Sequence, residues 1–192
     1  MSSTSNKDIP KINIKSIISI ITLSFFMLKV EIVLKKKFNL VATGGTFDCI
    51  HQGHLKLLFE TFRVGQNAII GLTSDEFIKK FKSEFNIRHN YERRLENLKQ
   101  TISNNFENPS YEIVKLEDYF GPVISSVKIE AIVVSEETYI KTPEINRIRV
   151  SKNLKPLKVV VIKMVNSKDG RPLSSTRIRH GEIDEKGNIL CD

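Results

Sequence analysis

"TGGTFDCIHQGH", Thr43–His54, decides how the rest of this chain is read. It follows "KFNLVA" (Lys37–Ala42), an apolar run that reads as a buried strand. Three glycines, one acid and two histidines three apart are too much polar chemistry for a plain turn. Gly44 and Gly45 remove side chains, so backbone N–H groups can approach a phosphate closely. Thr46 offers a hydroxyl in the same turn, beside Phe47. His51 and His54 fall at, or just before, the start of the next helix, where the dipole and unpaired N–H groups favour anions. Two imidazoles there can donate to phosphoryl oxygens and stabilise charge that develops in a transition state. A zinc reading needs a third ligand. His89 and His180 stand in no recognisable zinc spacing, so no protein-held metal is expected.

Outward from this stretch, strands alternate with helices. "FNLVA" is followed by "GHLKLLFETFRVG", apolar at helical spacing and ending at Gly65, a C-cap signal. "NAIIGLTS" reads as a second strand, with Ser74 placed to cap "DEFIKKF". Asn90 can cap the amphipathic "YERRLENLKQTI". "YEIVKL" and "EAIVVS" read as the third and fourth strands. "TPEINRIRVSKNL" opens with Thr142 as an N-cap and Pro143 at the first helical position. "LKVVVIKMV" is the fifth strand, and Ser174 or Ser175 caps a short helix in "LSSTRIRHGEI". The expected fold is therefore α/β, a mostly parallel five-stranded sheet with helices on both faces. In such a sheet ligands bind outside the carboxyl ends of the strands. "TGGTFD", "TSDEF", "SEETY" and "SST" all fall there, which makes them candidates for one shared pocket.

At 192 residues, 40% hydrophobic and 27% charged, the chain suits one soluble domain. The net charge of +8 is uneven: residues 1–37 hold seven lysines against Asp8 and Glu31, leaving +3 for the remainder. No basic, aromatic-interleaved stripe marks a nucleic-acid binder; small anionic ligands fit the modest excess better. Cys49 and Cys191 match no metal or disulfide spacing, so both are expected as free thiols in a reducing cytoplasm. Residues 1–37 are set apart as an extension preceding a domain at 38–192. Within it Ser16–Leu28 is strongly apolar but short for a membrane span. The preferred reading takes Met27 as the true start; an interfacial anchor and a packed helix are the alternatives.

"TGGTFDCIHQGH" resembles the HxGH signature of the nucleotidyltransferase superfamily, whose second signature is a serine/threonine-rich loop before a helix, here "LSSTRIR" (Leu173–Arg179). Together with "IIGLTSDEF", "IVVSEETY", "IN.IR" and "SSTRIRHGEIDEKGN", the pattern looks like an archaeal-type phosphopantetheine adenylyltransferase with a Rossmann-like fold, over roughly residues 38–190. The resemblance implies adenylyl transfer from ATP to 4′-phosphopantetheine in coenzyme A synthesis. It implies that His51 and His54 hold the ATP phosphates, with His54 nearest the α-phosphorus, and that Thr46 holds the attacking phosphate. Ser174, Ser175 and Thr176 would cradle the β- and γ-phosphates with Arg177 nearby. One lysine of Lys79, Lys80 and Lys82, with Lys80 preferred, would neutralise the donor. Because the nucleophile is already an anion, positioning and charge neutralisation suffice. Mg²⁺ is expected to arrive with ATP, bridging phosphates rather than sitting in a protein cage.

Asp48 is open between assisting chemistry and closing a turn. Arg88 is a further candidate phosphate ligand; Arg93 and Arg94 read more readily as surface charges of a helix. Two departures stand out: Arg147, where relatives more often carry an acid, and Ile140 after Tyr139, where they carry proline. The alternatives are another small nucleotidyltransferase (a cytidylyltransferase or an FMN adenylyltransferase), a non-catalytic nucleotide binder, or a membrane-tethered interaction protein. Cytidylyltransferases carry "RTEGIST" where this chain has "GRPLSSTRIR". Oligomeric state is not legible.

Overall fold

A computed structural model describes residues 36–81 and 87–190. The readings of residues 1–35, of Lys82 and of Cys191 lie outside the described residues.

Five strands form one parallel sheet in the order β3-β2-β1-β4-β5: β1 Phe38–Gly45, β2 Gly65–Thr73, β3 Tyr111–Leu116, β4 Ala131–Ser135 and β5 Lys158–Ile162. The helices are α1 Gln52–Val64, α2 Asp75–Phe81, α3 Tyr91–Asn105, α4 Glu136–Tyr139, α5 Thr142–Ser151 and α6 Ser175–Arg179, with a 3₁₀ turn at Gly121–Ile124. Strand order reverses between β1 and β4, so the crevice at their carboxyl ends is the topological switch point.

Alternation along each strand divides the core between the two faces. Val41, Ile70 and Val133 pack with Leu58 and Phe62 of α1 and Leu98 and Ile102 of α3. Ala42, Ile132 and Val134 point the other way, onto Val123 of the 3₁₀ turn and Ile145 of α5. Burial on both faces explains why the strands read as continuous apolar runs. A third, small cluster of Cys49, Leu173, Ile178 and Ile183 fastens the C-terminal segment to the turn after β1.

Most expected boundaries hold. Ser74 Oγ accepts the Phe77 N–H at 3.0 Å and Asn90 Oδ1 the Arg93 N–H at 3.0 Å, capping α2 and α3. Two do not. Gly65 does occupy the C-cap of α1, yet its φ of −103° is extended, and it begins β2 directly. Glycine is required there by contact: a Cβ would lie 2.4 Å from the Val41 side chain. Thr142 is the first residue of α5 rather than its cap; its hydroxyl donates back to the Tyr139 carbonyl at 2.8 Å, and Lys141 takes the cap position. "EETY", unassigned from the sequence, is a one-turn helix capped by Ser135.

Candidate active site

A cavity of about 510 Å³ opens at the switch point, lined by the ends of β1 and β4, the start of α1, the segment after β3 and Ser174–Thr176. The turn from β1 into α1 is held from several sides. Thr43 Oγ1 donates to the Val133 carbonyl at 2.9 Å, tying β1 to β4, and Thr73 Oγ1 donates to the Gly45 carbonyl at 3.0 Å. Phe47 is fully buried with φ +49°, a left-handed conformation that a bulky residue adopts only when its surroundings impose it. Its ring stands 5.0 Å from that of His54, and Gly45 leaves room for it, since a Cβ at Gly45 would lie 3.2 Å from the Phe47 ring.

His51 and His54 form a capping box with imidazoles in place of the usual hydroxyl and carboxylate. His51 Nδ1 accepts the Gly53 N–H at 3.1 Å, and His54 Nδ1 accepts the His51 N–H at 3.4 Å. An imidazole that accepts at Nδ1 is unprotonated there, so each ring carries its proton at Nε2. Both rings line the cavity, with centroids 4.1 Å apart. Burial lowers His51 to about 4 and His54 to about 3, the second pushed further by the neighbouring His51. The pair is therefore neutral near pH 7 and offers two N–H donors without charge. Gly53 is part of the same device: a Cβ there would stand 2.9 Å from the His51 ring.

Thr46, Phe47, His51, His54, Gly44 and Gly45 meet Ser174, Ser175 and Thr176 around this one cavity, although 119 residues separate His54 from Ser174 in the chain. Ser174 caps α6 through the Arg177 N–H at 3.4 Å, and Ser175 Oγ donates to the Cys49 carbonyl at 3.0 Å, stitching the two motifs together. Cys49 is buried, and burial followed by the Asp48 charge pushes its thiol up in pKa, so it stays protonated.

Arg177 and Lys80 are not brought to the cavity wall. The Arg177 guanidinium points into the C-terminal segment: Nη1 donates to Ser167 Oγ at 2.6 Å, Nη2 to Asp169 Oδ2 at 2.5 Å and Nε to Glu182 Oε2 at 2.9 Å. Asp169 is held well below the usual carboxylate range by the Ser167 hydroxyl and Arg177. Lys79 and Lys80 lie exposed on α2. The cations that do line the cavity are Lys141, Lys163 and Arg179. Lys141 caps α5 just after "SEETY" and Lys163 follows β5, so their position after β4 and β5 is the signal that could have singled them out.

Arg94 is the plainest surprise. Its place on an amphipathic helix suggests surface charge, yet it is fully buried under the β1 turn. Its Nη1 donates to the carbonyls of Thr46 and Thr73, each at 2.8 Å, Nη2 pairs with Asp75 at 2.5 Å, and Nε donates to the His89 carbonyl at 3.1 Å. Although burial raises Asp75, the Tyr91 N–H and Arg94 together hold it below its usual range. Arg93, by contrast, is an exposed partner of Glu96. Arg88 Nη2 donates to the Ile178 carbonyl at 3.0 Å rather than facing the cavity. Arg147 is exposed on α5 beside Glu144, and Tyr139 and Ile140 are exposed, so none of the departures touches the cavity.

At the β3 end the cavity turns aromatic. The Tyr119 ring stands edge-on to Phe77, 4.8 Å between centroids, and Lys141 Nζ lies 4.9 Å over Tyr119. No three His, Cys, Asp or Glu side chains are grouped to hold a metal ion among the described residues. No helix among the described residues is long and apolar enough to cross a membrane.

Residues 42–181 match the cytidylyltransferase-like family. A phosphopantetheine adenylyltransferase of Methanothermobacter thermautotrophicus is 43% identical over 157 residues, covering 82% of this chain and 93% of its own. That of Pyrococcus horikoshii is 45% identical over 156 residues, covering 81% and 97%. Among solved structures, a protein of unknown function from Archaeoglobus fulgidus superposes with a TM-score of 0.57 at 30% identity, covering 64% of this chain and 87% of that one.

Proposed function

Since the chain belongs to the cytidylyltransferase-like family and, within it, to the phosphopantetheine adenylyltransferases, we propose that it transfers the adenylyl group of ATP to 4′-phosphopantetheine, yielding dephospho-CoA and pyrophosphate. The phosphate of the acceptor attacks the α-phosphorus, a new P–O bond forms, and the bond to the bridging oxygen of pyrophosphate breaks. The nucleophile is already ionised, so no general base is required. What the protein must supply is alignment and neutralisation of charge.

The observation that carries this reading is the pinned histidine pair. Nδ1 of each ring is occupied by a backbone N–H, so Nε2–H of each is directed to the cavity's ligand with no reorganisation at the moment of reaction. His54 serves the α-phosphoryl oxygens and His51 the neighbouring phosphates. Ser174, Ser175 and Thr176 receive the β- and γ-phosphates, with Arg179 and Lys163 supplying positive charge that neutral histidines cannot. Thr46 holds the acceptor phosphate, and the shelf of Phe77 and Tyr119 takes the pantetheine arm. Mg²⁺ would be held chiefly by the ATP phosphates, where it offsets their charge; the cavity's own carboxylates, Asp118 and Glu137, are too few for a protein cage. A cytoplasmic enzyme of coenzyme A synthesis goes with this reading.

The test is pyrophosphate release by the full chain with three substrate pairs: ATP with 4′-phosphopantetheine, CTP with glycerol phosphate, and ATP with FMN. Turnover with the first pair alone is expected. Turnover confined to either of the others overturns the assignment.

A further inference from the structure

Phe47 is buried like any core aromatic, in one cluster with Val41, Leu58 and Ile70, yet its backbone is unlike that of a core residue. Its φ of +49° lies in the left-handed region. The other non-glycine residues with positive φ among the described residues are both asparagines, Asn108 and Asn153. Asparagine visits that region because its short polar side chain can bond locally, a relief that phenylalanine lacks. Both neighbours of Phe47 are tied to other segments, which is what imposes the conformation. Arg94 Nη1 donates to the Thr46 carbonyl at 2.8 Å, and the Arg88 and His89 N–H groups donate to the Asp48 carboxylate at 3.0 and 3.1 Å. Thr73 Oγ1 holds the Gly45 carbonyl one residue earlier, at 3.0 Å. Strain that several contacts maintain points to a geometry the site requires.

What the strained turn delivers is a ring beside His54. The two centroids lie 5.0 Å apart with planes at 42°, within the range of a tilted aromatic pair. The bond that occupies His54 Nδ1, from the His51 N–H, is long at 3.4 Å. The last torsion of a histidine is soft, so a long bond alone leaves the imidazole free to tilt. We infer that Phe47 is a positioning residue for His54, its ring fixing the tilt at which the imidazole stands on the cavity wall. A leucine fills comparable space but offers no aromatic face or edge to set that angle. The inference rests on the reading that His54 serves the α-phosphoryl group.

The first test is made without substrate, so that failure of the transfer reaction leaves it decidable. In the full chain with isotope-labelled histidine, long-range proton–nitrogen spectra near pH 7 are expected to show His54 as a single Nε2–H tautomer. Nuclear Overhauser contacts are expected between its imidazole and the Phe47 ring. Two exchanging tautomers, or no such contact, overturn the proposal, and this measurement needs no variant to fold. In Phe47→Leu the His54 signals are expected to show both tautomers, while those of the exposed His180 stay as they are. Under turnover Phe47→Leu is expected to lower kcat about tenfold, the upper worth of an aromatic pair, with both KM values within about twofold. In a His54→Ala background the same change is expected to cost less than about twofold. Ile70→Val, in the same core cluster but off the cavity wall, is expected to leave kcat within about twofold of wild type. An equal loss of kcat in both backgrounds overturns the coupling, as does an equal loss in Ile70→Val. So does a lower melting temperature with kcat and the His54 signals unchanged, which would make Phe47 core packing alone.

Discussion

At the α1 end of the cavity, His51 and His54 are held by backbone N–H groups no more than three residues away. At the α6 end, Ser174–Thr176 are steadied by side chains: Arg177 onto Ser167, Asp169 and Glu182 of the same C-terminal segment, and Ser175 across the chain onto Cys49. The first end belongs to a 13-residue helix docked on the sheet, the second to a five-residue helix beyond the last strand. The cavity is thus bounded by one wall set within three residues and by another that Ser175 ties across the chain to Cys49 and Arg177 braces within its own C-terminal segment. Arg94 is the exception, since it supports the α1 end from a distance by holding the Thr46 and Thr73 carbonyls.

That exception gives the most forceful way to break the contrast. Arg94→Ala strands the partly buried Asp75 and takes this donor from three carbonyls, those of Thr73, Thr46 and His89. Loss of one partner of a buried pair costs about 3–5 kcal/mol. Urea denaturation is expected to show a loss of that size; a loss under about 1 kcal/mol would mean the α1 end stands on local contacts alone. Next in size is His54→Ala, for which turnover is expected to fall by about 10²-fold or more with the fold intact, the cost typical of removing one preorganised donor. Near-normal turnover would remove the histidine pair from the chemistry. Two further variants separate its duties. His51→Asn keeps a side-chain oxygen able to cap α1 but loses the Nε2 donor, whereas His51→Gln keeps reach and loses the cap. Lower turnover is expected in the first and lower melting temperature in the second.

The same contrast explains which parts were legible in the sequence. Strand runs, the Ser74 and Asn90 caps and the "TGGTFDCIHQGH" turn are local signals, read over a few residues, and all five strands and the motif's role as a helix start were recoverable from them. The glycines were read only in part: access to a phosphate was anticipated, but Gly53 making room for the His51 ring, and Gly65 yielding to Val41, depend on neighbours that a sequence does not display. The burial of Arg94 is invisible in the sequence for a physical reason. An arginine on a helix looks the same whether its partners are water or carbonyls 21 and 48 residues away. Lys141 and Lys163 carry no chemical signature of their own in the sequence, and only the convergence of strand ends brings them to the cavity wall.

Acid titration sharpens the α1 side. Both histidines have folded-state values below the ordinary 6.5, at about 4 and about 3. The unfolded chain therefore binds more protons as pH drops through 6.5, so stability is complete above that value and falls below it. The loss is on the order of 2 kcal/mol for each ring by pH 5. Most of this window lies above the usual carboxylate range, which separates it from the titration of Asp169. His51→Asn is expected to flatten the slope of melting temperature between pH 7 and 5; an unchanged slope would show that the capping box does not hold its rings neutral.

The smallest expected effect concerns the lysines, and it asks whether cavity position or sequence neighbourhood assigns a cation its role. Lys80 follows "TSDEF" and sits exposed on α2, outside the cavity wall, whereas Lys141 lies on the wall over Tyr119. If the wall decides, Lys141→Ala should raise KM for one of the two anionic substrates about tenfold, the worth of one charge-assisted hydrogen bond. Lys80→Ala should leave kcat and both KM values within about twofold, as most exposed substitutions do. The reverse outcome, with Lys80 costly and Lys141 silent, would mean that α2 moves toward the cavity when substrate binds. The polyphosphate grip would then have a third, mobile side in addition to the two fixed ends.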